Sequence, residues 1–171
     1  MNRWRTLSSS LPVVLLAALA CGGGGSAGSG PAPPATCQNP LPTPLASPRF
    51  STELLPMFQA TCGGGRDASS CHGTLTIPAG KFSFFTETGQ RSAAQVHADL
   101  VNAPPNNAPT GQGWMRIKPG DVSRSWLIEK VSSDQPGGLG YGARMPAGAQ
   151  NLCTGTIDNL KTWIAGGAPL N

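Results

Sequence analysis

Residues 62–72 read Cys-Gly-Gly-Gly-Arg-Asp-Ala-Ser-Ser-Cys-His, a cysteine followed by three glycines and, after eight intervening residues in all, a Cys-His pair. Leu54, Leu55, Phe58 and Cys62 recur at helical spacing, so a short amphipathic helix runs into Cys62 and Gly63-Gly64-Gly65 ends it. Ser51 is the expected N-cap, with Glu53 in the first turn and Pro56 early enough to be tolerated. Cys62 therefore stands at the C-terminal end of a helix that has one apolar face.

Downstream, Lys81-Phe82-Ser83-Phe84-Phe85 alternates briefly, like a strand. Residues 92–102 read as a helix with Ala93, Val96, Leu100 and Val101 inward. After a Pro/Asn/Gly loop, Pro119-Gly120-Asp121 makes a turn, and Asp121 is placed to cap a helix through Trp126, Leu127, Ile128 and Val131. Residues 132–150 are irregular and contain Arg144-Met145-Pro146. Ile157, Leu160, Trp163 and Ile164 set out the last helical stripe, stopped by Gly166, Gly167 and Pro169. Four short helices, long loops and no convincing sheet predict a small all-α domain over residues 50–171.

Composition agrees with a loop-rich chain, since 23 glycines and 17 prolines stand among 171 residues. The net charge of +4 falls to +2 without Arg3 and Arg5, and no Lys/Arg cluster exists, which gives no support to nucleic-acid binding. Those two arginines precede the apolar run Leu11–Ala20, which is too short to span a bilayer, so residues 1–20 read as an export leader. Leu16-Ala17-Ala18-Leu19-Ala20-Cys21 resembles a bacterial lipoprotein box, with Cys21 lipidated after cleavage. Gly22, where Asp would retain a lipoprotein at the inner membrane, points to the outer membrane. Residues 21–49 are rich in Gly, Ser, Ala and Pro and form a tether.

Setting Cys21 aside leaves Cys37, Cys62, Cys71 and Cys153 in a compartment where disulfides persist. C-x-x-C-H is the attachment signature of c-type haem: two thiols add to the vinyl groups and the imidazole ligates iron. Here Cys62, Cys71 and His72 keep the order with eight residues in place of two. On that reading Cys37 and Cys153 remain for a disulfide. A second reading closes Cys62 to Cys71 as a disulfide worth on the order of 2–3 kcal/mol. A third uses Cys62, Cys71, His72 and either His97 or Cys153 for zinc, although no second close pair completes that site. His97 follows Val96 and reads as solvent-facing. No G-x-S-x-G, H-E-x-x-H or phosphate-loop pattern argues for an enzyme, and the eight carboxylates form no evident acid/base pair.

In order, these pieces resemble the class I c-type cytochrome domains of exported bacterial proteins over about residues 50–170. The pieces are Leu55-Pro56-Met57-Phe58 before a cysteine, Cys71-His72-Gly73, Pro119-Gly120-Asp121 with Ser125 and Leu127, Arg144-Met145-Pro146, and the final helix with Trp163. The resemblance implies haem c held by Cys62 and Cys71, iron ligated by His72 and Met145, and one-electron transfer to other periplasmic or envelope redox proteins. The attachment machinery of that family recognises the short motif, which is where this chain departs. The alternative it leaves is a haem-free lipoprotein of the same fold, serving as a binding or structural module of the envelope.

Overall fold

The computed structural model describes residues 41, 43–63, 72–73, 79–147 and 151–171. It is helix-rich, with four α-helices and one two-stranded hairpin among the described residues. A wide π-type turn, Phe50–Leu54, flows into helix α1, Leu55–Thr61. Helices α2, Ala93–Leu100, α3, Trp126–Ser132, and α4, Thr154–Ala165, follow. Strands β1, Phe85–Thr86, and β2, Gly89–Gln90, pair antiparallel, with Phe85 opposite Gln90. The strand-like 81–85 run thus divides: Lys81 ends a 3-10 turn, Ala79–Lys81, and only Phe85 enters the hairpin.

Each helix contributes its apolar stripe to one core. Phe50, Leu54 and Phe58 meet Val96 and Leu100 of α2, Ile128 and Val131 of α3, and Leu160, Trp163 and Ile164 of α4. Phe50 stacks on Trp163, with ring centroids 5.2 Å apart. Removing such rings from water is the main stabilising term, about 25 cal/mol per Å² of apolar surface. Helix α2 starts where a local rule puts it. The Ser92 hydroxyl accepts from Gln95 N and the Gln95 side chain accepts from Ser92 N, a reciprocal capping box.

Other starts differ from expectation. Ser51 caps nothing with its side chain; the first helical N–H groups are taken by the far end of the chain, Phe50 N by Asn171 Oδ1 at 2.7 Å and Ser51 N by Asn171 O at 2.9 Å. A distant residue thus satisfies the first orphan donors, and Glu53 N and Leu54 N, which a Ser51 cap would have accepted, go to Arg49 O at 3.2 and 3.1 Å. Asp121 caps the 3-10 turn Val122–Arg124 through Arg124 N at 3.1 Å, and α3 begins after it at Trp126. Leu41, Thr43 and Leu45, read as part of a tether, are bound to α4. The buried Asn159 amide accepts from Leu45 N at 2.6 Å and donates to Thr43 O at 3.0 Å, while Thr156 Oγ1 donates to Leu41 O at 3.0 Å. The folded region therefore reaches back to Leu41.

His97 is half-buried rather than solvent-facing. Its Nε2–H donates to Ala168 O at 2.7 Å and its ring packs edge-on against Phe50 at 5.2 Å and Trp163 at 6.1 Å. A residue one step round from Val96 flanks the buried stripe, and the C-terminal tail covers it there. Among the described residues no helix is long and apolar enough to cross a membrane.

A short extended segment, 114–118, threads between the end of α2 and the start of α3. Ile117 N donates to Leu100 O at 3.0 Å, and Leu127 N to Arg116 O at 3.0 Å. This segment carries Arg116 to the wall of the cavity.

Candidate functional site

One end of the core opens into a cavity of about 260 Å³, or about 1230 Å³ of atom-free space with its mouth included. That brackets the range in which small-molecule and cofactor sites fall. Cys62, His72 and Met145 all line it. The rest of its wall is mainly apolar: Phe58 from α1, Phe82 and Phe84 before the hairpin, Leu100 from α2, and Trp126, Leu127 and Val131 from α3.

Cys62 is the residue after the last turn of α1, where its N–H donates to Phe58 O at 2.8 Å. Its thiol is free and lies 3.4 Å from Thr61 Oγ1. Burial pushes the thiol pKa up, and the Thr61 hydroxyl partly opposes the rise, so the group is protonated at neutral pH. Since Cys62 is free, the Cys62–Cys71 disulfide is not formed. Gly63 follows in a space that takes only glycine: a Cβ there would come within 2.5 Å of Phe85 Cε2 and 2.6 Å of Gln59 O.

The chain leaves at Cys62 and comes back at His72, whose N–H donates to Cys62 O at 3.1 Å. Phe84 N then donates to His72 O at 2.9 Å, and Ser83 Oγ donates to the same oxygen at 3.3 Å. The His72 ring lies edge-on to Phe82, at 5.6 Å, and to Phe84, at 6.0 Å. Its Nδ1 is 2.9 Å from Phe82 O. A carbonyl oxygen can only accept, so Nδ1 carries the hydrogen and Nε2 of the neutral ring holds the lone pair. This is the tautomer a metal-ligating imidazole needs, with its second nitrogen steadied by a backbone oxygen.

Met145 arrives from the other side of the sequence. Its N–H donates to Lys130 O at 2.7 Å, which fixes the 141–145 segment along α3. The donor set at the cavity is thus a thiol, an imidazole and a thioether against aromatic walls, a set that fits soft or borderline iron ligation better than a hard oxygen-seeking cation.

No family model matches the chain, and no curated protein or solved structure matches it.

Cys71, Cys37 and Cys21 lie outside the described residues. Cys153 is disulfide-bonded, and Cys62 is not its partner. Neither Cys153 nor His97 lines the cavity, and among the described residues no three His, Cys, Asp or Glu side chains cluster as a metal site. The zinc set that included His97 or Cys153 is therefore not assembled among the described residues. Two residues that sequence reasoning passed over do belong to the wall, Arg116 and Lys130. Burial lowers both pKa values, and for Arg116 the charge of Asp99 partly offsets it. In sequence each looks like an ordinary surface cation, and nothing local marks it otherwise.

Proposed function

We propose that this chain is an exported, lipid-anchored electron carrier of the class I c-type cytochrome kind. In this reading Cys62 and Cys71 would hold one haem c, and His72 and Met145 would ligate its iron. The observation that carries it is the hydrogen bond from His72 N to Cys62 O at 3.1 Å. In a helical turn over C-x-x-C-H, the first cysteine is residue i and the histidine i+4, so that turn makes the same N–H to C=O bond. Here the bond forms with six further residues in between. The expanded spacing keeps the backbone closure of the compact one.

When bound, haem supplies a reversible one-electron change at iron. The chain's own residues then hold and shield. His72 presents Nε2 because Phe82 O retains its Nδ1–H. Met145 offers a soft thioether, and the His/Met combination favours the reduced metal and a relatively high potential. Phe82, Phe84 and Leu100 keep water away, which tunes that potential further. No bond is made or broken in a substrate, so the protein is a carrier and not an enzyme. Its partners are other redox proteins of the periplasm or envelope, met through a small transient interface. Lipid on Cys21, with Gly22 behind it, holds the domain at the outer membrane.

The test is to express the full chain in a Gram-negative host carrying the haem-attachment machinery and record a pyridine haemochrome spectrum after acid–acetone extraction. A retained c-type α band is expected, and His72→Ala should perturb it. No haem band would sink the electron-transfer reading and leave a haem-free envelope module of the same fold.

A further inference from the structure

The cavity wall carries two cations, Arg116 and Lys130, and no carboxylate among its described residues. Both are half-buried, and neither forms an ion pair among the described residues. Asp99, the acid nearest Arg116 in effect, gives its carboxylate to Arg91 at 2.7 Å. Glu129, next to Lys130 in α3, accepts from Gly137 N at 3.1 Å. What the two cations touch instead is backbone oxygen, and the Arg116 guanidinium also lies over the Phe82 ring, 5.6 Å from its centroid. Arg116 donates to Asp99 O at 2.9 Å and Gly80 O at 3.3 Å, and Lys130 donates to Tyr141 O at 3.3 Å and to Ala143 O.

Each cation also has an amide beside it. Asn106 Nδ2 donates to the Gly80 oxygen that Arg116 holds. Asn107 Nδ2 and Lys130 Nζ both lie within 4 Å of the Cβ position of Gly142, at 3.7 and 3.4 Å. Asn106 and Asn107 line the cavity too. The wall therefore has two separate donor clusters, Arg116 with Asn106 and Lys130 with Asn107, on an otherwise apolar surface. Keeping positive charge half out of water costs free energy unless a counter-charge arrives.

We propose that Arg116 and Lys130 form a two-point anion subsite that holds the two carboxylates of a planar apolar ligand, a dicarboxylate porphyrin. This rests on the haem reading and adds to it which residues hold the acidic edge of the group, separately from the iron ligands. A guanidinium takes a carboxylate through two parallel hydrogen bonds, and an ammonium takes one as a point charge. A ligand lacking the charges loses both while keeping its apolar contacts.

The experiment uses the full chain, purified in detergent from a host without attachment machinery. It is titrated with iron-free protoporphyrin IX and with the dimethyl ester of that porphyrin, read by porphyrin fluorescence. Without iron, His72 and Met145 contribute no coordination, so only the cavity and its charges are tested. The diacid should bind about ten-fold more tightly than the ester, about 1.4 kcal/mol. Lys130→Gln and Arg116→Gln should each shrink that ratio, and Arg116→Lys should keep more of it than Arg116→Gln. A urea midpoint for each variant shows whether it is folded, and Lys130→Gln, whose side chain points at a loop, carries the test if Arg116→Gln is not.

Equal affinity for diacid and ester, a ratio unmoved by both substitutions, or no binding of either porphyrin overturns the proposal. Covalent haem in the attachment host with a flat ratio removes the anion subsite alone. A clear ratio with no covalent haem removes the c-type reading and leaves the subsite standing.

Discussion

Deleting residues 64–69 turns Cys62-x8-Cys71-His72 into Cys-Gly-Ser-Cys-His, the compact spacing, using residues already present. If the His72 N to Cys62 O bond is the i+4 bond of a helical turn, the shortened chain can still make it, because His72 then stands four residues after Cys62. Gly63 remains, as its position demands: a Cβ there meets Phe85 Cε2 at 2.5 Å. Loop closure scales as (3/2)RT ln n, so cutting the Cys62–His72 separation from ten residues to four lowers the closure cost by roughly 0.8 kcal/mol. The apo variant should therefore unfold at an equal or slightly higher urea midpoint, followed by tryptophan fluorescence and far-UV circular dichroism with an unchanged slope. In a host with attachment machinery that recognises the short motif, its haemochrome yield should exceed that of the unaltered chain. A loss of more than about 1 kcal/mol, or failure to fold, would refute the reasoning, because the eight-residue excursion would then be part of the fold and not an insertion closed at its neck.

Asn159→Ala removes two well-formed, partly buried bonds, to Leu45 N and Thr43 O, and a long one to Leu41 O that Thr156 duplicates. At about 1 kcal/mol net per bond the loss is about 2 kcal/mol, seen as a lower urea midpoint and faster proteolysis at residues 41–48; a change below about 0.5 kcal/mol would mean that this segment is not docked. The Asp121 carboxyl is held below its ordinary value first by the Ser123 hydroxyl, at 2.7 Å, and then by Lys118. A depressed carboxyl gives stability that is present above its unfolded value and lost as pH falls through its folded one. Asp121→Asn should therefore lower the urea midpoint at pH 7, with the gap from the unaltered protein closing below the ordinary carboxyl range; a gap independent of pH would contradict this.

Where chemistry acts between neighbours, the sequence was readable. Ser92 with Gln95 makes its capping box, the 157–164 stripe is buried in α4, and Cys62 ends α1. What depends on distant partners was not. Ser51 is a good cap by composition, yet the first helical turn already starts at Phe50, whose N–H and that of Ser51 go to Asn171, while Arg49 O takes the Glu53 and Leu54 N–H groups a Ser51 cap would accept. Residues 41–48 have the composition of a tether, and Asn159 and Thr156, more than a hundred residues on, make Leu41, Thr43 and Leu45 part of the fold. At the site, Cys62, His72 and Met145 declare themselves by residue type, and all three line one cavity. Arg116 and Lys130 do not, because a cation's value depends on what surrounds it. The threading of segment 114–118 decides that for Arg116, and the 141–143 carbonyls decide it for Lys130.

Asn171 closes on Phe50 and Ser51 at the start of the first helical turn, so the last residue lies beside the first turn of the core. Segments that touch can be joined. A circular permutant linking residue 171 to residue 49 through a few glycines, and opened at the exposed Gly138-Leu139-Gly140 loop, would keep the Phe50–Trp163 stack while moving the point of chain entry to the loop that leads into the 141–147 cavity wall. The same proximity means that cargo fused after Asn171 emerges beside the start of the first helical turn.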